Sequence, residues 1–235
     1  MRSRLLFPLF ALAAACSFAS YGQVVVVIDP TKNSPEIKLS AADEKILKTV
    51  AIPRVKKKLP ADACETNLEV AGFGHGSFSK PDSKQTLIFY QYCQTGNGLG
   101  LAGLVLIEDG KMIGNWVADS GWTQAVGALH DINANGLDEF TLSWGGGMHQ
   151  GQGGVGVDVM EFSNGVPKGL GWFQVEQFDD TQATNVWKVT AKPGKVPIFY
   201  KQKYFSGEGE KWKRVGVNTP FKLKKVFAGN FEVVK

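Results

Sequence analysis

The chain has 235 residues, with 26 Lys or Arg against 22 Asp or Glu, and its formal charge of +4 is too small for the basic footprint of a nucleic-acid binder. After the first two dozen residues no segment reaches the apolar length of a membrane span. Its 28 glycines and 15 phenylalanines, with few helical patterns, predict an all-β fold of many short strands and turns.

The first residues, MRSRLLFPLFALAAACSFASYGQ, place Arg2 and Arg4 before an apolar run from Leu5 to Ala15. Ser20 and Gly22 then stand three and one places before Gln23, the three-part pattern of a secretory signal peptide over residues 1–22. Cleavage after Ala19 is an alternative, and so is a lipoprotein in which Cys16 becomes the lipidated first residue, although Leu12 stands one place too far from it. The expected location is secreted, periplasmic or in the cell envelope. Removing Arg2 and Arg4 leaves a nearly balanced chain of about 210 residues, enough for one substantial core or two small ones. Cys64 and Cys93 remain, and in an oxidising compartment they are expected to pair as a disulfide.

Residues 23–60 read as a lead-in. QVVVVIDPTKN is a possible edge strand. LSAADEKILKTV carries a helix signal, with Ser40 as N-cap, Asp43 three residues on, and Ile46, Leu47 and Val50 on one face. PRVKKKLP reads as a solvated basic connector.

Residues 61–235 read as a β-repeat domain. KQTLIFYQYC and GLVLIEDGKMIGNWV are strands, the latter bent at an Asp109-Gly110 hairpin, and LDEFTLSW and GVDVMEFSNGVPKGLGWF repeat the theme around Asn164-Gly165. The period is roughly 55 residues, in the range of propeller blades. A weaker third unit runs through NVWKVTAKPGKVPIFYKQKYF and EKWKRVGV. Two or three units fall short of the smallest closed propellers. The expected architecture is therefore repeated small antiparallel sheets, partial or minimal β-propeller-like, with a β-sandwich-like packing as the alternative and one short N-terminal helix.

The most specific chemistry lies in HDINANGLDEF. Counting Asp131 as position 1, side-chain oxygens fall at Asp131, Asn133 and Asn135, with Gly136 at 6, Leu137 at 7 and Glu139 at 9. Ca2+ takes six to eight hard oxygen ligands, and glycine at position 6 permits the turn that brings the Leu137 carbonyl to the same centre. The expected shell is Asp131, Asn133, Asn135, the Leu137 carbonyl and Glu139, completed by water. With two carboxylates, affinity should be weak, on the order of 0.1 to 1 mM. A metal-free turn is the alternative, because Asn, Asp and Gly favour tight turns on their own account. An EF-hand is excluded by Leu142 at position 12 and the absence of flanking helices.

Asp-x-Asn-x-Asn-Gly-x-x-Glu running straight into an apolar strand resembles the calcium loop of FG-GAP or VCBS repeats, which build integrin-like β-propellers. That resemblance implies an exported protein with one structural Ca2+ and an adhesion, ligand-binding or scaffold role toward an extracellular protein or glycan. It is local to this loop. GSFSKPDSK in the first unit keeps the turn character without the carboxylate spacing.

Other candidates are less specific. GGGMHQGQGGVG, residues 145–156, lacks the Lys-Ser/Thr ending of a phosphate loop and reads as a surface connection. His75, His130 and His149 have no metal spacing and no nucleophile partner. Asp158, Glu161, Asp179 and Asp180 would have to supply any acid/base pair of a carbohydrate-active enzyme. Trp116, Trp122, Trp144, Trp172, Trp187 and Trp212 could stack on sugars, although Trp116 and Trp172 recur at matching places in the repeat, as core residues would.

Overall fold

The computed structural model describes residues 23–32, 38–59, 66–95, 99–149, 152–179, 184–207, 211–225 and 231–235. The proposed signal segment, Cys64 and Asp180 lie outside them. The architecture is all-β with one short helical segment, and the strands form two antiparallel sheets.

Ser40 caps the helical segment as its sequence requires: its hydroxyl accepts from the Asp43 amide at 3.1 Å and donates to the Asp43 carboxylate at 2.7 Å. α1 (Ala41–Ile46) then widens into a π-turn over Leu47–Ala51 before α2 (Ile52–Lys58). Pro53 explains the widening, because it has no N–H to give to Thr49 and its ring would crowd that carbonyl. The basic stretch is thus a helix and not a solvated connector. Ile52 and Val55, three residues apart, are buried, and Pro53 sits in the first turn where helices tolerate it.

The five-stranded sheet has the order β13-β5-β4-β3-β2, built from β2 (Thr66–Gly76), β3 (Gln85–Thr95), β4 (Leu99–Glu108), β5 (Lys111–Ser120) and β13 (Glu232–Val233). One face, with Ile88, Tyr90, Val105 and Val117, is covered by Leu47, Ala51, Ile52 and Val55 of the helical segment. Asn115 joins these layers by donating to the Ala51 carbonyl at 3.1 Å. The opposite face, with Leu87, Phe89, Leu104 and Trp116, packs on Phe140, Leu142, Met160 and Phe162 of the second sheet. Of the two packings expected from the repeat, this face-to-face contact is the sandwich-like one.

The eight-stranded sheet runs β12-β11-β10-β9-β8-β7-β6, with β1 (Val25–Ile28) added on β10 as the anticipated edge strand. Its members are β6 (Trp122–Leu129), β7 (Glu139–His149), β8 (Gln152–Ser163), β9 (Val166–Asp179), β10 (Thr184–Lys192), β11 (Ile198–Ser206) and β12 (Lys213–Phe221). The sheet curls. Although β12 stands three places from β9, Lys224 just beyond it exchanges two backbone hydrogen bonds with Trp172 of β9, at 3.0 and 2.9 Å. The curl encloses Val157, Val159, Phe173, Val189 and Phe199 with Val27 and Ile132. β12 itself is exposed along nearly its whole length and carries a bulge against β11.

Both hairpin signals are realised. Asp109-Gly110 and Asn164-Gly165 have positive φ at both positions (48° and 69°, 53° and 76°), the signature of type I′ turns. Residues 145–156 are not a surface connection: Gly145 to His149 belong to β7 and Gln152 to Gly156 to β8. Close neighbours account for several of these glycines, since a Cβ on Gly153 would lie 2.3 Å from the Phe178 ring.

Candidate functional site

The candidate loop, residues 130–138, links β6 to β7; hydrogen bonds gather Asp131, Asn133 and Asn135 within it, and Glu139 opens β7. The Asp131 carboxylate accepts from the amides of Asn135 (2.9 Å) and Gly136 (3.0 Å), Asn133 Oδ1 accepts from Asn135 at 3.1 Å, and Asn135 Oδ1 from Leu137 at 2.8 Å. Ala134 and Gly136 take positive φ, 59° and 89°, which closes the turn. These bonds set alternate side-chain oxygens on the loop's own amides, as a metal-free turn would as well.

Glu139 is the anomaly. It is 0% exposed, its Oε2 accepts from the Ile132 amide at 2.7 Å, and its Oε1 has no hydrogen-bond partner. Phe140 pairs with Met160 and Thr141 with Val159, so the next step of the β7–β8 ladder sets Glu139 opposite Glu161. Like charges directly opposite in a sheet destabilise it. Burial pushes the Glu139 carboxyl up to about 8; the Ile132 amide offsets part of this, and the charges of Asp131 and Glu161 add to it. Glu161 Oε2 in turn accepts from Asn133 Nδ2 at 3.0 Å and Asn135 Nδ2 at 3.2 Å.

The sequence reading did not bring Glu161 to this loop. The β-hairpin register would have placed it there, but the glycine-rich stretch concealed where the hairpin turns. Asp138 was also overlooked: its carboxylate accepts from the Ser77 and Asp131 amides (2.7 and 3.1 Å) and lies 2.8 Å from His130 Nδ1, bolting the loop between β2 and β3 onto this one.

That first loop is a built-in comparison. A shift of 54 residues superposes Gln85 on Glu139, buried Phe78 on buried Ile132, and Asp82 (φ 58°) on Gly136 (φ 89°). Gln85 closes its loop unaided, accepting from the Ser79 amide at 2.9 Å and donating to the Ser79 hydroxyl at 2.7 Å. The glutamine is neutral and has a donor to spend; the glutamate has neither advantage. Among the described residues no three His, Cys, Asp or Glu side chains alone form a metal-ligating group, so an ion here depends on the Asn oxygens and the Leu137 carbonyl as well. The donor set is all oxygen, and the orphaned Glu139 Oε1 is the atom a hard cation would satisfy.

The remaining candidates do not converge. Asp158 is fully buried, accepts from the Trp144 indole at 2.7 Å, and is three residues from Glu161 on β8, hence on the opposite face. It is therefore not on a solvated strand face. Asp179 lies at the far end of β9. His130 is 93% exposed, His75 lies 3.2 Å from the Thr86 hydroxyl, and the His149 side chain is outside the described part. Trp116 is buried between the sheets, whereas Trp172 is half-buried with Lys224 Nζ 5.0 Å over its ring. Cys93 is buried.

No protein-family model matches the chain, and neither a curated protein nor a solved structure matches it. Among the described residues no helix is long and apolar enough to cross a membrane.

Proposed function

We propose that this is an exported β protein whose 131–139 loop binds one structural Ca2+ in the manner of FG-GAP or VCBS repeats, and that it serves as a non-enzymatic binding or scaffold module. The observation that carries this reading is the buried Glu139, with an unpartnered oxygen opposite Glu161 and, among the described residues, no cationic side chain within ion-pair distance. Asp131, Asn133, Asn135, the Leu137 carbonyl and Glu139 would hold the ion, with water completing the shell. The ion would supply charge neutralisation and fix β6, β7 and β8 at one end.

The test is thermal unfolding of the mature protein in chelator and in rising calcium. At 10 mM calcium and a dissociation constant near 0.3 mM, binding contributes about 2 kcal/mol, a midpoint rise of roughly 4–8 °C for a chain of this size. Asp131→Ala should abolish the rise. A midpoint indifferent to calcium in the parent protein would reduce the loop to a turn.

Export also predicts the Cys64–Cys93 pair. Thr66, two residues after Cys64, stands opposite Cys93 in the β2–β3 register. A non-reduced peptide map should show the two cysteines linked, and Cys64→Ser should cost roughly 3.5 kcal/mol on the chain-entropy account. An unlinked Cys64 in the mature protein would contradict both pairing and compartment.

A further inference from the structure

We infer that the pocket where β9 and β10 part is a binding site for an acidic saccharide, a pyranose ring carrying a carboxylate or sulfate. β9 and β10 pair only where Thr184 to Val186 face Glu176 to Phe178, and beyond that point a cavity of ≈ 170 Å³ opens. Trp172, Trp187 and Phe221 contribute aromatic rings to its wall, Lys201, Lys222 and Lys224 contribute cations, and no carboxylate lines it among the described residues. Lys201 Nζ stands 5.6 Å from the Phe221 ring centre, and Lys224 Nζ 5.0 Å from that of Trp172. None of the three lysines is in an ion pair among the described residues.

The small overall charge hides this concentration. From Lys188 to Lys225 the chain holds eleven Lys or Arg and two acids, Glu208 and Glu210, while the rest of the chain after residue 22 holds thirteen basic and twenty acidic residues. Ammonium groups lining one cavity repel one another, and an anion placed among them relieves that repulsion. Lys224 stands over Trp172 and Lys203 Nζ lies 5.9 Å over the Trp187 ring, so each indole presents a cation together with an apolar surface, the pairing an anionic sugar ring needs. The volume suits a single ring.

A second cavity, of ≈ 570 Å³, shares Phe221 and Lys222 with the first and reaches Asn133, Asn135 and Glu161 beside the candidate calcium loop. The two cavities therefore adjoin, and the second sets Glu161 beside Lys195 and Lys222. A carboxylate confined to the second cavity suits an oligosaccharide whose charged unit occupies the first. It opposes a nucleic acid, which presents a phosphate at every step and needs a basic track throughout.

The basic pocket itself shares no lining residue with the calcium loop, so the titration is run in both chelator and calcium. Tetragalacturonate is titrated into the mature protein and followed by tryptophan fluorescence, beside neutral galactotetraose and tripolyphosphate. Saturable binding of tetragalacturonate in both media is expected, with no response to galactotetraose and weaker binding of tripolyphosphate. The Lys201→Gln/Lys224→Gln pair should weaken binding about tenfold, whereas Lys56→Gln/Lys57→Gln, the same charge change on α2, should leave it unaltered. Absence of saturable binding, equal affinity for tripolyphosphate, equal loss in the α2 variant, or binding seen only with calcium would each overturn the inference. A calcium-independent unfolding midpoint with this binding intact would remove the ion reading alone.

Discussion

Glu139→Gln should abolish the calcium response of the unfolding midpoint while leaving the calcium-free protein at pH 8 as stable as the parent, or more so. The loop between β2 and β3 already carries a glutamine here, since Gln85 stands 54 residues before Glu139 and satisfies both ends of its amide within its own loop. A carboxamide at position 139 keeps an oxygen for the Ile132 amide and removes the charge opposing Glu161. The pH dependence follows. Because burial raises the Glu139 carboxyl from its ordinary 4.5 to about 8, the folded calcium-free protein holds a proton that the unfolded chain releases between those values. Its contribution to stability is complete below about pH 4.5 and is lost as pH rises through about 8, a change on the order of a few kcal/mol. Calcium, by taking the proton's place, should flatten that slope, and Glu139→Gln should flatten it without calcium. A variant that keeps the full calcium shift would remove Glu139 from the shell.

Phe140→Ala should be the most damaging single core substitution, at about 4 kcal/mol and a midpoint loss of roughly 8–16 °C. Phe140 is fully buried and central to a row of rings: Phe78 lies 5.9 Å away edge-on, Phe162 5.3 Å away, and Trp116 5.0 Å beyond Phe162. Phe78 precedes β3 and Trp116 lies on β5, so this row joins the two sheets. Phe140→Leu, which keeps most of the volume, should cost about 1.5 kcal/mol or less. A loss below about 1 kcal/mol for the alanine variant would mean the sheets do not depend on this row.

The strands with alternating apolar residues and I′ turn signals were legible because a half-buried strand must alternate and a tight hairpin must admit positive φ. β2 and β6 were not, and the reason is their contact. A Cβ on Gly72 would lie 3.1 Å from the Val126 amide, and one on Gly74 would lie 3.3 Å from that of Ala128. Strands brought so close need small residues, and Gly72, Gly74, Ala125, Gly127 and Ala128 carry little hydrophobic pattern. α2 was masked by its lysines, whose charge obscured the buried Ile52 and Val55. Within the loop the alternation of Asp131, Asn133 and Asn135 was local and readable. Glu161 and Ser77 were not, because each arrives from another hairpin and sequence spacing does not encode that register.

β12 has a dynamic consequence. Nearly every side chain on it faces solvent, and among the described residues only β11 pairs with it within the sheet. Lys213, Arg214, the bulge at Lys201 to Lys203 and Pro220 make it a poor template for a further strand. The protection against edge pairing comes at the expense of anchorage, since so little apolar area secures the strand. Its amides should exchange with solvent deuterium far sooner than those of β7 and β8, so the sheet should open from this margin inward while the Phe140 row is still closed.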